Sequence, residues 1–293
     1  MREYFYRIDS RGRVIHDGTE ISDEGFLNFF FERLRDNDTG LHSDFSFVSP
    51  CGNEMNFIKP DLFPIVFSKR SGDRLFYAPG LSVALDLNRM RYSEKLILHP
   101  APIGTFGLLG ADLALEFGRD IEPWGPFLSY RVGRSPPAMA DSMFVIEPLE
   151  RSAGTEHLEI IRSDPSVQCF GCGGANAAGL ALPFIFDPRA NTARSWFKPP
   201  AWMAGHPSWM HGGFISLLLD EVCAKVLRGL QRKGATVELN VAFRKPVPLG
   251  HEIELLAKLE TIEGRRIRVQ GSILAEGHVR AEAQALFVEL LSA

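Results

Sequence analysis

The chain has 293 residues, enough for two domains of ordinary size, and is 45% hydrophobic and 23% charged. Its formal net charge of −4 supplies no positive field to draw it to nucleic acid or to an anionic membrane. No apolar run approaches the roughly 20 residues of a membrane span, and four cysteines make no disulfide framework, so a reducing, cytoplasmic setting is expected.

The opening Met1-Arg2-Glu3-Tyr4-Phe5-Tyr6 lacks the apolar core of a secretory signal. Tyr4-Phe5-Tyr6-Arg7-Ile8 and Val14-Ile15 flank Asp9-Ser10-Arg11-Gly12 and read as a hairpin. Ser22 is the expected N-cap of a helix whose stripe is Phe26, Phe29, Phe30 and Leu34, with Asp23 and Glu24 in its first turn. Strand-like runs follow at 45–48, 65–67, 75–77, 81–85 and 96–98. His16, His42, Cys51 and His99 are scattered among these runs and form no catalytic constellation.

All five tyrosines lie within the first 130 residues. A weakly periodic stretch containing Ser135-Pro136-Pro137 and Asp164-Pro165 comes next, and a domain boundary is expected there. The expected organisation is an α+β domain at 1–132, a linker at 133–166 and a second domain at 167–293.

The second domain begins with two strand-like runs, 180–186 and 193–197, joined through Asp187-Pro188-Arg189-Ala190-Asn191. From His211-Gly212-Gly213 to about Leu230 the apolar residues cover most of a helical circumference, which predicts a central helix wrapped by other structure. Asp220 is the anomaly on it. Its neighbours three and four positions away are Ser216, Leu217, Cys223 and Ala224, so no base on its own helix pairs with it. An ionised carboxylate in apolar surroundings costs several kcal/mol unless something compensates, so its presence calls for a reason. Glu221 needs none, because Lys225 lies four residues on. Gly212 and Gly213 open the helix, where free N–H groups and the helix dipole suit a developing oxyanion.

Four alternating segments then predict an antiparallel sheet: Val237, Leu239, Val241 and Phe243; Ile253, Leu255, Ala257 and Leu259; Ile267, Val269 and Ile273; and a last strand at 280–290. Glu263-Gly264 and Glu276-Gly277 supply turns.

Three blocks carry a family resemblance: Cys169-Phe170-Gly171-Cys172-Gly173-Gly174-Ala175-Asn176, His211-Gly212-Gly213 with Asp220, and Thr236-Val237-Glu238-Leu239-Asn240-Val241-Ala242-Phe243 running into Arg244-Lys245-Pro246. In this order they resemble the hotdog-fold acyl-CoA thioesterases of the phenylacetate-pathway type within the thioesterase superfamily. The N-terminal half, through its Phe-Tyr-Arg-Ile-Asp opening and the Ser49 to Phe57 block, resembles an uncharacterised bacterial and mitochondrial domain that brings no activity with it. The resemblance implies an α+β fold overall, with the C-terminal hotdog preceded by the separate domain. It also implies a homodimer or dimer of dimers with paired sites between subunits, an acyl-CoA substrate and no cofactor.

In that scheme the Gly212 N–H polarises the thioester carbonyl, Gly213 shapes the turn and His211 holds it. Asp220 acts from the other subunit as general base or nucleophile, and Thr236 orients the water or the acid. Some relatives carry Asn or Gln where this chain has Gly205. His206 is the candidate replacement near the substrate, against a plainer role in the loop. Arg244 and Lys245 are candidates for the coenzyme A phosphates, against the ordinary use of such residues on solvated strand edges. Trp196, Trp202 and Trp209 either line an acyl pocket or pack the core.

Cys169 and Cys172 form a Cys-x-x-Cys pair. No second pair lies near it, so no metal is expected and the loop reads as a turn. The competing reading of the whole chain is a non-catalytic acyl-CoA-binding or regulatory module whose N-terminal domain makes the interactions. A hotdog dehydratase lacks its paired Asp and His here.

Overall fold

The computed structural model describes residues 1–133 and 142–290, and Ser135-Pro136-Pro137 lies outside the described residues. The chain forms two compact units, 1–121 with 146–150, and 122–145 with 151–293.

In the N-terminal unit, Arg2–Ile8 pairs antiparallel with Val14–His16 and parallel with Glu54–Pro60. Asp9 braces the hairpin by accepting the N–H groups of Arg11 and Arg13, both at 2.9 Å. The helix Glu24–Glu32 begins one residue later than Ser22 predicts. Asp23 is its cap and accepts the Phe26 N–H at 2.7 Å, while Phe30 buries against the Tyr6 ring. A second sheet strand-pairs Arg91–Ser93, Leu96–Pro100, Phe106–Leu109 and Val66–Phe67.

The C-terminal unit is organised on the helix Gly212–Gly229. Seven antiparallel strands form one sheet in the order Glu159–Ile161, Phe184–Asp187, Thr192–Phe197, Ile253–Glu263, Arg266–Ala275, His278–Glu289, Gly234–Phe243. The helix touches every one of these strands, so the sheet wraps it. Leu218, Leu219, Val222, Cys223 and Val226 are fully buried against Leu255, Ala257, Ile267, Val269, Ile273 and Phe287. Burial of an aliphatic side chain of this size contributes about 1.5–3 kcal/mol, so this seam holds the helix rigidly in place. On another part of the sheet Trp124, Phe127 and Val145 pack with Ile185, and Trp196 lies against Trp124.

The first strand after the helix, Gly234–Phe243, sits at the sheet's edge with one side unpaired among the described residues. Its apolar Val237 and Phe243 are each 57% exposed, although their alternation predicts a buried face. The edge position explains the difference, because no further strand of the sheet covers this one on its outer side among the described residues.

Candidate active site

The helix start is built by His211. Its backbone (φ −66°, ψ 138°) turns the chain into the helix, and its Nδ1 accepts the Gly213 N–H at 2.9 Å. Its carbonyl takes the N–H groups of Phe214 and Ile215 at 3.0 and 3.2 Å. Gly212 is thereby the one residue of the first turn whose N–H has no acceptor among the described residues, and it is half-buried. A Cβ at 213 would stand 3.1 Å from the His211 Nδ1, so the capping ring would have to give by a few tenths of an ångström. At 205 a Cβ would come within 2.8 Å of the His211 Cα, so a side chain there requires the backbone to shift.

Asp220 lies two turns further along and is half-buried. Its Oδ1 accepts a hydrogen bond from the Thr236 hydroxyl at 2.8 Å. No ion pair reaches it among the described residues. Thr236 arrives there through a bulge, because the pairing of its strand with His278–Glu289 slips between Thr236 and Glu238. Such an extra residue re-aims the side chain beside it. Behind Asp220, burial pushes the Cys223 thiol up to about 12, and the Asp220 carboxylate adds to the effect.

The other candidates stand apart from this pair. His206 is exposed on the short ribbon formed by Ala204–His206 and Trp209–Met210, and no hydrogen bond holds its ring among the described residues. The Arg244 Nε donates to Glu282 at 2.8 Å, beside a surface trench of about 440 Å³ lined also by Asn240, Gln270 and Gln284. Lys245 is exposed beyond it. Trp202 packs edge-on against Phe214 near the helix start, Trp209 is exposed, and Trp196 is committed to Trp124.

A second cluster was only half visible in the sequence. The expected Glu221–Lys225 pair forms, but beneath the Cys-x-x-Cys loop, with side chains only 11% and 10% exposed. The Cys169 thiol donates to Glu221 Oε2 at 3.3 Å, and the Lys225 ammonium donates to Cys172 Sγ at 2.9 Å. Burial beside the Glu221 carboxylate pushes the Cys172 thiol up to about 12, which makes it a poor nucleophile for disulfide exchange. Burial alone disfavours the charged forms of Glu221 and Lys225. Their mutual attraction and the bonds to the thiols outweigh it, lowering the Glu221 pKa and raising that of Lys225. Spacing revealed this ion pair, while the fold of the loop over it left no pattern in the helix.

A family model described as "Thioesterase superfamily" matches residues 208–282, spanning His211, Gly212, Asp220 and Thr236. The uncharacterized protein C26H8.11c of Schizosaccharomyces pombe is 33% identical over 121 residues, which cover 39% of this chain and 69% of that protein. The C-terminal region carries a thioesterase superfamily domain. The acyl-coenzyme A thioesterase THEM4 of Mus musculus is 33% identical over 117 residues, covering 38% of this chain and 49% of that protein. THEM4 of Xenopus laevis is 31% identical over 96 residues, covering 32% of this chain and 43% of that protein, so the chain spans about half the length of these curated relatives. A solved thioesterase superfamily protein, RHA08564, aligns over 41% of this chain and 60% of its own at 27% identity and a TM-score of 0.39. Residues 1–124 match a domain of unknown function, DUF4505.

Proposed function

We propose that the chain is an acyl-CoA thioesterase, with the Gly212 N–H and the Asp220 carboxylate as the two halves of its site. The observation that carries this reading is one helix bearing both an unused N–H at its start and a half-buried carboxylate held by a lone threonine. At the helix start the free N–H and the dipole favour the oxyanion that forms when a thioester carbonyl is attacked. Asp220 takes a proton from the attacking water, or attacks the carbonyl itself. Collapse of the tetrahedral intermediate releases coenzyme A as its thiol or thiolate. On the water route this frees the acid at once; on the nucleophile route a water then hydrolyses the acyl–Asp220 anhydride to free the acid and restore the carboxylate. Thr236 holds one carboxylate oxygen so that the other faces the reacting atoms.

Within one chain the two halves do not meet. Asp220 is eight residues beyond Gly212, which at 1.5 Å per residue puts the two about 12 Å apart along the helix axis. A second copy therefore supplies the missing half, and the assembly is a homodimer. The unpaired edge of Gly234–Phe243, with its exposed Val237 and Phe243, is the surface that supports this arrangement. Edge strands with apolar side chains are normally covered.

The test is thiol release from short, long and aromatic acyl-CoA esters by the purified chain and by Asp220→Ala. A positioned base contributes about 10²–10⁴-fold, and the variant should lose at least the lower figure. Equal rates for the two proteins, or no release from any ester by the wild type, refute the reading. Tight acyl-CoA binding without turnover would establish the binding-module alternative in its place.

A further inference from the structure

We propose that Cys169, Cys172 and Glu221 form a binding site for one divalent, thiophilic metal ion of the zinc class. Their ligand atoms all lie within 4.8 Å of one another, although the cysteines come from a loop and the glutamate from the central helix about 50 residues later. Two sulfurs and one carboxylate oxygen select zinc-like ions over magnesium or calcium, which take oxygen alone. Sequence spacing invites a search for a second cysteine pair, whereas the fold supplies a carboxylate as the third ligand.

Charge fits the same ion. Two thiolates and a carboxylate carry three negative charges. The divalent ion cancels two and the Lys225 ammonium cancels the third, so the buried assembly is neutral. Lys225 is already placed for this role, donating to Cys172 Sγ at 2.9 Å and pairing with Glu221. Donors of this kind behind a metal-bound thiolate orient the ligand and tune it.

The loop is shaped in advance. Gly173 N–H bonds to Cys169 O at 2.9 Å, Ala175 N–H to Val167 O at 3.0 Å, and Leu182 N–H to Gly171 O at 2.9 Å. A Cβ at Gly171 would stand 2.5 Å from Glu221 Oε2, so a side chain there would push the carboxylate from its place beneath the loop. On binding, two metal–sulfur bonds form and the two thiol protons pass to solvent. No electron is exchanged, and water takes the fourth tetrahedral position. The ion acts as a clip between the loop and the helix, one residue past Asp220. The site stands whether or not the chain hydrolyses thioesters.

The test is anaerobic titration of the reduced, full-length protein with cobalt(II), followed by displacement with zinc. One cobalt per chain is expected, with thiolate-to-cobalt charge-transfer bands that zinc abolishes, and chelation should lower the melting temperature. Cys169→Ser and Cys172→Ser should each weaken binding by about 100-fold or more, while Glu221→Gln keeps the sulfur bands and weakens binding by about tenfold or more. Absence of these bands in the wild type overturns the proposal, including in protein isolated with a Cys169–Cys172 disulfide and then reduced. Uptake unchanged in both serine variants overturns it too, as adventitious binding. The wild-type spectrum decides even where a variant fails to fold.

Discussion

His211 determines which backbone donor is left open. Its ring and carbonyl satisfy the next three N–H groups and leave that of Gly212 unpaired. Proline is tolerated at the first position of a helix, and the extended backbone of His211 suits a residue that precedes proline. Gly212→Pro is therefore expected to keep the melting temperature within a few degrees while cutting kcat by about 10²–10³-fold, the usual worth of one oxyanion donor. Unchanged kcat in a folded Gly212→Pro protein would remove this N–H from the mechanism. The isolation of Asp220 was legible in the sequence, since its helical neighbours are fixed by spacing. Its bond to Thr236 was not derivable from spacing, because it depends on a bulge that interrupts the alternation of the strand.

Strands with one covered face announce themselves by alternation, and the segments from 237 to 290 did so. The strand Glu54–Pro60 did not, because Met55, Asn56, Phe57 and Ile58 are all buried in succession between two neighbouring strands. The exposure of Val237 and Phe243 was equally hidden, since it follows from the order of strands in the sheet and not from any one of them. His99, on the strand Leu96–Pro100, is buried, with Nε2 accepting the Asp86 N–H at 2.8 Å and Nδ1 facing the Pro100 carbonyl at 2.9 Å. Burial holds its pKa below the ordinary value of 6.5, against a smaller opposing pull from the Pro100 carbonyl and Asp86. The unfolded chain thus binds the proton more readily. The stability contributed by neutral His99 is complete above about pH 6.5 and is lost as pH falls below it toward the folded pKa. Urea unfolding of the N-terminal unit should show a lower midpoint at about pH 5.5 than at about pH 7.5, with the difference reduced in His99→Gln. A midpoint that does not move, or moves equally in the variant, would contradict this.

At the scale of the whole molecule, each proposed site is shared by two copies of the chain. A charge on the exposed edge should separate them: Val237→Lys is expected to shift the sedimentation mass from dimer toward monomer and to lower activity in proportion. A monomeric variant with full activity would show that one chain suffices. The most direct measurement combines two inactive chains, Asp220→Ala and Gly212→Pro, co-expressed with different tags and isolated as the mixed dimer. One of its two sites then has both intact halves, so it is expected to recover about half of wild-type thioester hydrolysis, as the symmetry of a twofold interface requires. Mixed dimers no more active than either parent would contradict the account.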